Sequence, residues 1–155
     1  MEAAAQAFAG VLPQGARLIG IDLGTKTLGL ALSDVTRSIA SGLTTLPRTR
    51  FGIDAEQLLA LAAEHGIGGF VIGLPFNLDG SQGPRVQATR AFARNLGKLT
   101  PLPILLWDER LTTAAAERVL LEADASRKRR AQVIDKVAAT LILQSALDRL
   151  KLFGT

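Results

Sequence analysis

The chain has no cysteine among its 155 residues and only one histidine, His65. Disulfides and thiolate metal sites are therefore excluded, a reducing compartment is compatible, and zinc chemistry is disfavoured. Residues 1–15 carry neither a basic amino-terminal region nor a long apolar core, and Glu2 stands where a signal peptide would place Lys or Arg. No export signal is read. No apolar run approaches the ~20 residues needed to cross a bilayer, so a soluble, cytoplasmic protein without a membrane partner is expected. Internal repeats, low-complexity tracts and linkers are also missing, which leaves nothing to divide the chain.

What is present suits one packed unit. A hydrophobic content of 48% in a chain of about one domain's size can build a core without staples, so a single domain over residues 1–155 is expected. The formal charge is +4 and the isoelectric point about 10.1, a modestly basic balance that suits a polyanionic partner.

The organising stretch runs from Leu18 to Asp34. Apolar residues on both sides of Asp22 predict two buried strands joined by the polar turn Gly24 to Thr27. An ionised acid inside such a strand loses several kcal/mol of solvation unless a metal ion, a cation or a ligand hydroxyl compensates it. Gly24 and Gly29 leave room for a ligand or backbone to approach. The plainer alternative is that Asp22 caps a turn at the strand end.

Ahead of this hairpin, the alanine-rich residues 1–15 end in Pro13-Gln14-Gly15 and are expected to form a loosely held arm outside the fold, with room for a short helix. After it, Ser38 to Leu46 predicts a third strand stopping at Pro47 and completing an antiparallel meander. A helix follows, with Asp54 at the N-cap, Gln57 closing a capping box, Ile53 and Leu58 as the hydrophobic staple and Gly66 at the carboxyl end. Leu58, Leu59, Leu61 and Ala62 form its apolar face. Gly69 to Gly73 has the continuous apolar character of a buried parallel strand. The turn-rich segment Leu74 to Gly83 then lies at that strand's carboxyl end, where α/β sheets place ligands. Pro84 opens a helix reaching about Leu96, bearing Arg85, Arg90 and Arg94. Pro103 to Trp107 is another buried strand and leads directly into Asp108-Glu109-Arg110. Thr112 or Thr113 caps a further helix to about Ala123, and a long closing helix runs from about Ala131 to Leu150. The order β-β-β-α-β-α-β-α-α predicts an α/β mixed five-stranded sheet, an antiparallel meander plus two parallel strands, flanked by helices.

Three acidic positions fall where burial is expected: Asp22, the pair Asp108-Glu109, and Asp135 near the start of the closing helix. Asp135 is followed by Ala138 and Ala139, whose small side chains let a helix lie close to a sheet and bring a short carboxylate to the strands. Converging carboxylates repel one another unless divalent cations neutralise them, and hard oxygen ligands favour Mg2+ or Mn2+. Taken singly, Asp108 and Glu109 could instead pair with Arg110, and Asp135 could be an acid favoured by the helix dipole. The run Arg127-Lys128-Arg129-Arg130 stands just before this helix, where positive charge is unfavourable with the dipole. It reads either as a solvated basic loop or as a phosphate attractor beside the acids.

Four ordered blocks then become recognisable: Gly20-Ile21-Asp22-Leu23-Gly24-Thr25-Lys26; Gly73-Leu74-Pro75 with Asn77 and Asp79-Gly80; Asp108-Glu109-Arg110-Leu111-Thr112-Thr113; and Asp135-Lys136-Val137-Ala138-Ala139. Together they resemble the YqgF (RuvX-type) family of RNase H-like nucleases, known as Holliday-junction-resolvase-like proteins and pre-16S rRNA nucleases. The resemblance covers about residues 18–150. One departure is Thr27, where the family usually has Arg. The resemblance implies an RNase H-like fold in which Asp22, Glu109 and Asp135 bind the catalytic metal, with Asp108 as the alternative second ligand. A two-metal hydrolase uses one ion to generate hydroxide and another to stabilise the leaving oxygen, ~3.5–4 Å apart across a shared carboxylate, for which Asp22 is the candidate. By position, Lys26 and Arg110 ease charge on the scissile phosphate, and Asn77 or Arg85 holds a neighbouring one. The expected activity is endonucleolytic processing of structured RNA, the pre-16S rRNA end by resemblance, by a monomer or weak homodimer. Cutting of four-way DNA, which needs paired active sites, is the alternative enzyme. A nucleic-acid-binding or transcription-associated factor without catalysis is the alternative class.

Overall fold

The computed structural model describes residues 2–77, 79–111 and 127–154, with side chains from Lys136 onward in the last stretch. Helix α1 (Glu2–Val11) precedes strands β1 (Arg17–Leu23), β2 (Thr27–Ser33) and β3 (Ala40–Pro47). Helix α2 (Phe51–His65), strand β4 (Ile67–Leu74), helix α3 (Pro84–Gly97) and strand β5 (Ile104–Asp108) follow. A 3₁₀ turn at Glu109–Leu111 ends β5, and α4 (Arg127–Leu150) closes the fold. The strands form one sheet in the order β3-β2-β1-β4-β5. β1 pairs antiparallel with β2 and β2 with β3, whereas β1–β4 and β4–β5 are parallel. This is the expected meander plus two parallel strands. None of the described helices is long and apolar enough to cross a membrane.

Period-two alternation assigns the two faces of the sheet. Ile19, Ile21, Leu28, Leu30, Phe70 and Ile72 pack with residues of α2 and α3, and the edge-on rings of Phe51 and Phe92, 5.4 Å apart, link those helices. Leu18, Ala31, Val71, Leu105 and Trp107 pack on the other face with α1 and α4.

On that second face α4 sits very close to the strands. A Cβ added to Gly20 would fall 2.7 Å from Leu143 Cβ and 3.1 Å from the Ala139 carbonyl oxygen; one added to Gly73 would fall 2.5 Å from Ile142 Cδ1. Ala138 and Ala139 are buried, so small residues on the helix meet glycines on the sheet. Gln144 fixes the register along β3, its amide donating to the Ser38 carbonyl and accepting from the Ala40 N–H.

Three expectations are corrected. Residues 2–11 are not a loose arm: α1 buries Ala5, Phe8 and Ala9, with the Phe8 ring occupying the space that a side chain at Gly69 would need. Alanine's helix propensity builds this helix, and the remote glycine docks it. Asp54 is not the N-cap of α2, which begins at Phe51; its Oδ1 instead accepts from the Thr49 N–H and hydroxyl, at 3.1 and 2.9 Å. The basic run does not precede the closing helix but forms its first turn. Gly66 does end α2 as expected, in the left-handed conformation at φ 65° with its N–H on the Ala62 carbonyl. The helix expected after Thr112 or Thr113 lies outside the described residues.

The close approach predicts opposite outcomes at two glycines. Gly20→Ala should destabilise by about 1–3 kcal/mol through overpacking. Gly52→Ala, in α2 with open space around it, should be neutral or stabilising by up to ~1 kcal/mol. Urea denaturation of both variants checks the pair.

Candidate metal and nucleic-acid site

The parallel strands β1, β4 and β5 end on one edge of the sheet, and three of the sequence-predicted acids, Asp22, Asp108 and Glu109, stand at that edge. Asp22 lies opposite Gly29 of β2 and is 1% exposed. Two residues beyond Gly20, it projects to the α4 face of the sheet. Glu109, 6% exposed, follows the end of β5. Its Cγ would be 3.0 Å from a Cβ at Gly73, the same atom that would strike Ile142, so Glu109 lies across Gly73 on the α4 side as well. Asp22 and Glu109 each have one oxygen wholly withdrawn from solvent.

Asp108 turns the other way. Trp107 faces α4, where its indole N–H donates to the Ser145 hydroxyl at 3.2 Å, and alternation carries Asp108 to the opposite side. There Arg110 holds it with its backbone N–H, its Nε and its Nη2, the last at 2.6 Å. Burial pushes the Asp108 carboxyl up, but the Arg110 hydrogen bonds outweigh it and hold the group below the ordinary 3.8. The Arg110 guanidinium is correspondingly raised. Its planar head also lies 5.0 Å from the centre of the Phe76 ring, and Arg90 lies 5.9 Å from the same ring.

The remaining predicted residues fall into two groups. Lys26 is exposed in the β1–β2 turn, and Arg85 reaches from the start of α3 to donate to the Leu23 carbonyl at 3.2 Å. Asn77 is exposed in the loop after β4, its amide donating to the Ser81 hydroxyl at 2.9 Å. Arg127, Lys128, Arg129, Arg130 and Asp135 belong to α4, but their side chains lie outside the described residues. Among the described residues no group of three His, Cys, Asp or Glu side chains is arranged around a common point. Of the candidate ligands that can be placed, Asp22 and Glu109 share the α4 face, whereas Asp108 is held by Arg110 on the other. Asp22 and Glu109 offer only hard carboxylate oxygens, and the missing side chain of Gly73 makes room for the Glu109 stem; this donor chemistry fits Mg2+ or Mn2+.

Sequence reasoning missed Arg48. Its backbone N–H donates to the Lys26 carbonyl and its guanidinium to the Gly24 carbonyl, at 2.9 and 2.7 Å. The signal was available, since the third strand stops at Pro47 and delivers the next residue beside the hairpin turn.

A family model described as "RuvX: Holliday junction resolvase" matches residues 16–149. The chain belongs to the RuvX family. A relative from Rhodobacter capsulatus, named "Putative pre-16S rRNA nuclease", is 61% identical over 147 residues, covering 95% of this chain and 92% of its own. One of the same name from Paracoccus denitrificans is 60% identical over 149 residues, covering 96% and 94%. Among solved structures, Thermus thermophilus RuvC in complex with a Holliday junction substrate aligns with a TM-score of 0.53 at 14% identity, over 87% of this chain and 96% of that one. The yeast mitochondrial Holliday junction resolvase aligns with a TM-score of 0.52 at 12% identity, over 96% and 86%. At such identities the likeness establishes the fold, and the RuvX chain shares the RNase H-like architecture of these resolvases.

Because Arg110 depresses the Asp108 carboxyl, the stability from this pair is fully present above 3.8 and is lost as pH falls through the lower folded value. Arg110→Ala should raise the Asp108 titration midpoint and shrink this acid-side loss. Carboxyl carbon NMR titration reads the midpoint, and thermal melting between pH 5 and pH 2 reads the linkage.

Proposed function

We propose that this RuvX-family chain is a divalent-metal-dependent endonuclease that hydrolyses phosphodiester bonds, acting in the cytoplasm on the 5′ end of pre-16S rRNA as a monomer or weak homodimer. The observation carrying this reading is the placement of two buried carboxylates, Asp22 and Glu109, on one face at the carboxyl edge of the parallel strands. Lys26 stands in the turn after Asp22, and Arg48, Arg85 and Arg110 lie on the other side of the same strand ends. The names borne by relatives about 60% identical favour RNA processing over junction cutting.

Asp22 and Glu109, with Asp135 as third ligand by family resemblance, would hold Mg2+ or Mn2+. When bound, such ions lower the pKa of water and offset charge developing on the phosphate. Asp22 lies on a central strand, so its position is rigid; Glu109 is confined between Gly73 and Ile142. Lys26 stands in the turn after Asp22, free to approach the phosphate, and Asn77 offers an amide at the neighbouring loop. Arg110 is held by Asp108 and presents its guanidinium near Phe76 rather than swinging across to Glu109. Asp108 therefore serves as the residue that positions Arg110, and Glu109 as the metal ligand.

The test separates these roles. Asp22→Asn and Glu109→Gln should each lower cleavage of a 5′-extended 16S precursor by at least about a hundredfold with magnesium or manganese, since an amide neither carries the charge nor bridges cations. Asp108→Asn should retain most activity and lose stability instead. Wild-type rates in Asp22→Asn would overturn the metal assignment. Paired symmetric nicks in four-way DNA, with the RNA uncut, would make the protein a junction resolvase; no cutting of either would leave a binding factor.

A further inference from the structure

Beside the turn that follows Asp22 is a cavity of about 220 Å3, lined by Leu23, Gly24, Thr25, Arg48, Pro84, Arg85 and Ala88. It opens on the α3 side of the sheet, across the rim from the carboxylates. Two guanidiniums line it. Arg48 commits one donor to the Gly24 carbonyl and Arg85 one to the Leu23 carbonyl. Neither meets a carboxylate among the described residues, although a guanidinium has five N–H donors and its planar fork suits phosphate. Anchoring on the turn backbone fixes both heads at little further cost in side-chain entropy. Thr25 adds an exposed hydroxyl, and the start of α3 adds the positive end of its dipole.

We propose that this cavity is a phosphate subsite that holds one backbone phosphate of the nucleic-acid strand, with Arg48 and Arg85 as its two principal donors. The proposal rests on the nuclease reading and gives it a strand path. Leu23 and Gly24 follow Asp22 directly, so the cavity is within ~7 Å of it along the backbone. A phosphate held there lies one or two linkages from the bond that is cut, and the strand crosses the rim of the sheet at β1.

The experiment is a charge-neutralisation scan on the RNA substrate. Single linkages around the cut are replaced in turn by uncharged methylphosphonates, and binding is followed by fluorescence anisotropy without divalent ions, so that nothing is cleaved. For wild type, one or two linkages beside the cut should each weaken binding about tenfold. For the Arg48→Gln/Arg85→Gln double variant the same linkages should be silent, and the log K against log salt slope should flatten by ~0.7 on a single strand or ~0.9 on a duplex. Each single variant should show most of that change, because both side chains hold one phosphate. If the Gln variants do not melt cooperatively, Thr25→Val and Arg48→Lys replace them; the first should halve the effect of the sensitive linkage or better, the second should keep the slope while losing affinity. An identical scan for wild type and variants would overturn the subsite. Inorganic phosphate shifting the Arg48 and Arg85 resonances while the scan stays unchanged would assign the cavity to a free small anion and overturn the strand assignment. Failure of wild type to bind the RNA at all would overturn the nucleic-acid reading itself, and the subsite with it.

Discussion

The contact between α4 and the glycine-bearing face of the sheet governs the rest of the structure. Helices usually pack on their neighbours at axial separations of ~8–10 Å, set by the side chains between them. Here Gly20 and Gly73 contribute none, and the Ala139 backbone itself meets β1. A face packed this tightly excludes water from its middle. Polar chemistry can then survive only at its margin, and the carboxyl edge of β1, β4 and β5 is the margin where Asp22 and Glu109 stand. The same closeness confines them. Glu109 has Gly73 beneath it and Ile142 beside it, so its conformations are few before any ligand arrives.

Confinement has an energetic consequence. Two buried acids on one face of a marginally stable domain need compensating partners, and the proposed divalent ion would be one of them. The stability comes from elsewhere: a second core under α2 and α3, and a helix α1 that adds Phe8 to the α4 face. Local frustration at the edge and consistent packing away from it are the pattern expected of a functional site.

The legible part of the fold is the part encoded by short-range pattern. The hairpin around Asp22, the apolar runs of β4 and β5, Pro84 at the start of α3 and Gly66 at the end of α2 each carry their signal within a few residues. The docking of α1 does not: Phe8 finds its place against Gly69, a partner sixty-one positions away that local pattern cannot reveal. Asp54 misled because the capping-box spacing is met by chance inside a helix already begun at Phe51. Arg48 was within reach of the predicted meander but needed the strand register, with Pro47 paired to Thr27, to bring it onto the turn. The candidate acids were visible as residues out of place in apolar surroundings, but their division into partners and opposites required the strand faces.

That division turns on a single residue of alternation. Asp108 and Glu109 are adjacent, identical in charge and equally conspicuous in sequence, yet the pleat sends one to each side of the sheet. A cation on the Asp108 side, Arg110, grips that carboxyl with its backbone N–H and two guanidinium donors. If Arg110 instead reached over β5 to Glu109, the guanidinium would take the place of the proposed metal. The bidentate grip, reinforced by the Phe76 ring at 5.0 Å, makes that crossing expensive, since it would leave Asp108 buried without its cation. Arg110 and Asp108 thus act on the α4 face by staying away from it: they keep a positive charge close to the strand ends, paired to Asp108 and directed away from Glu109.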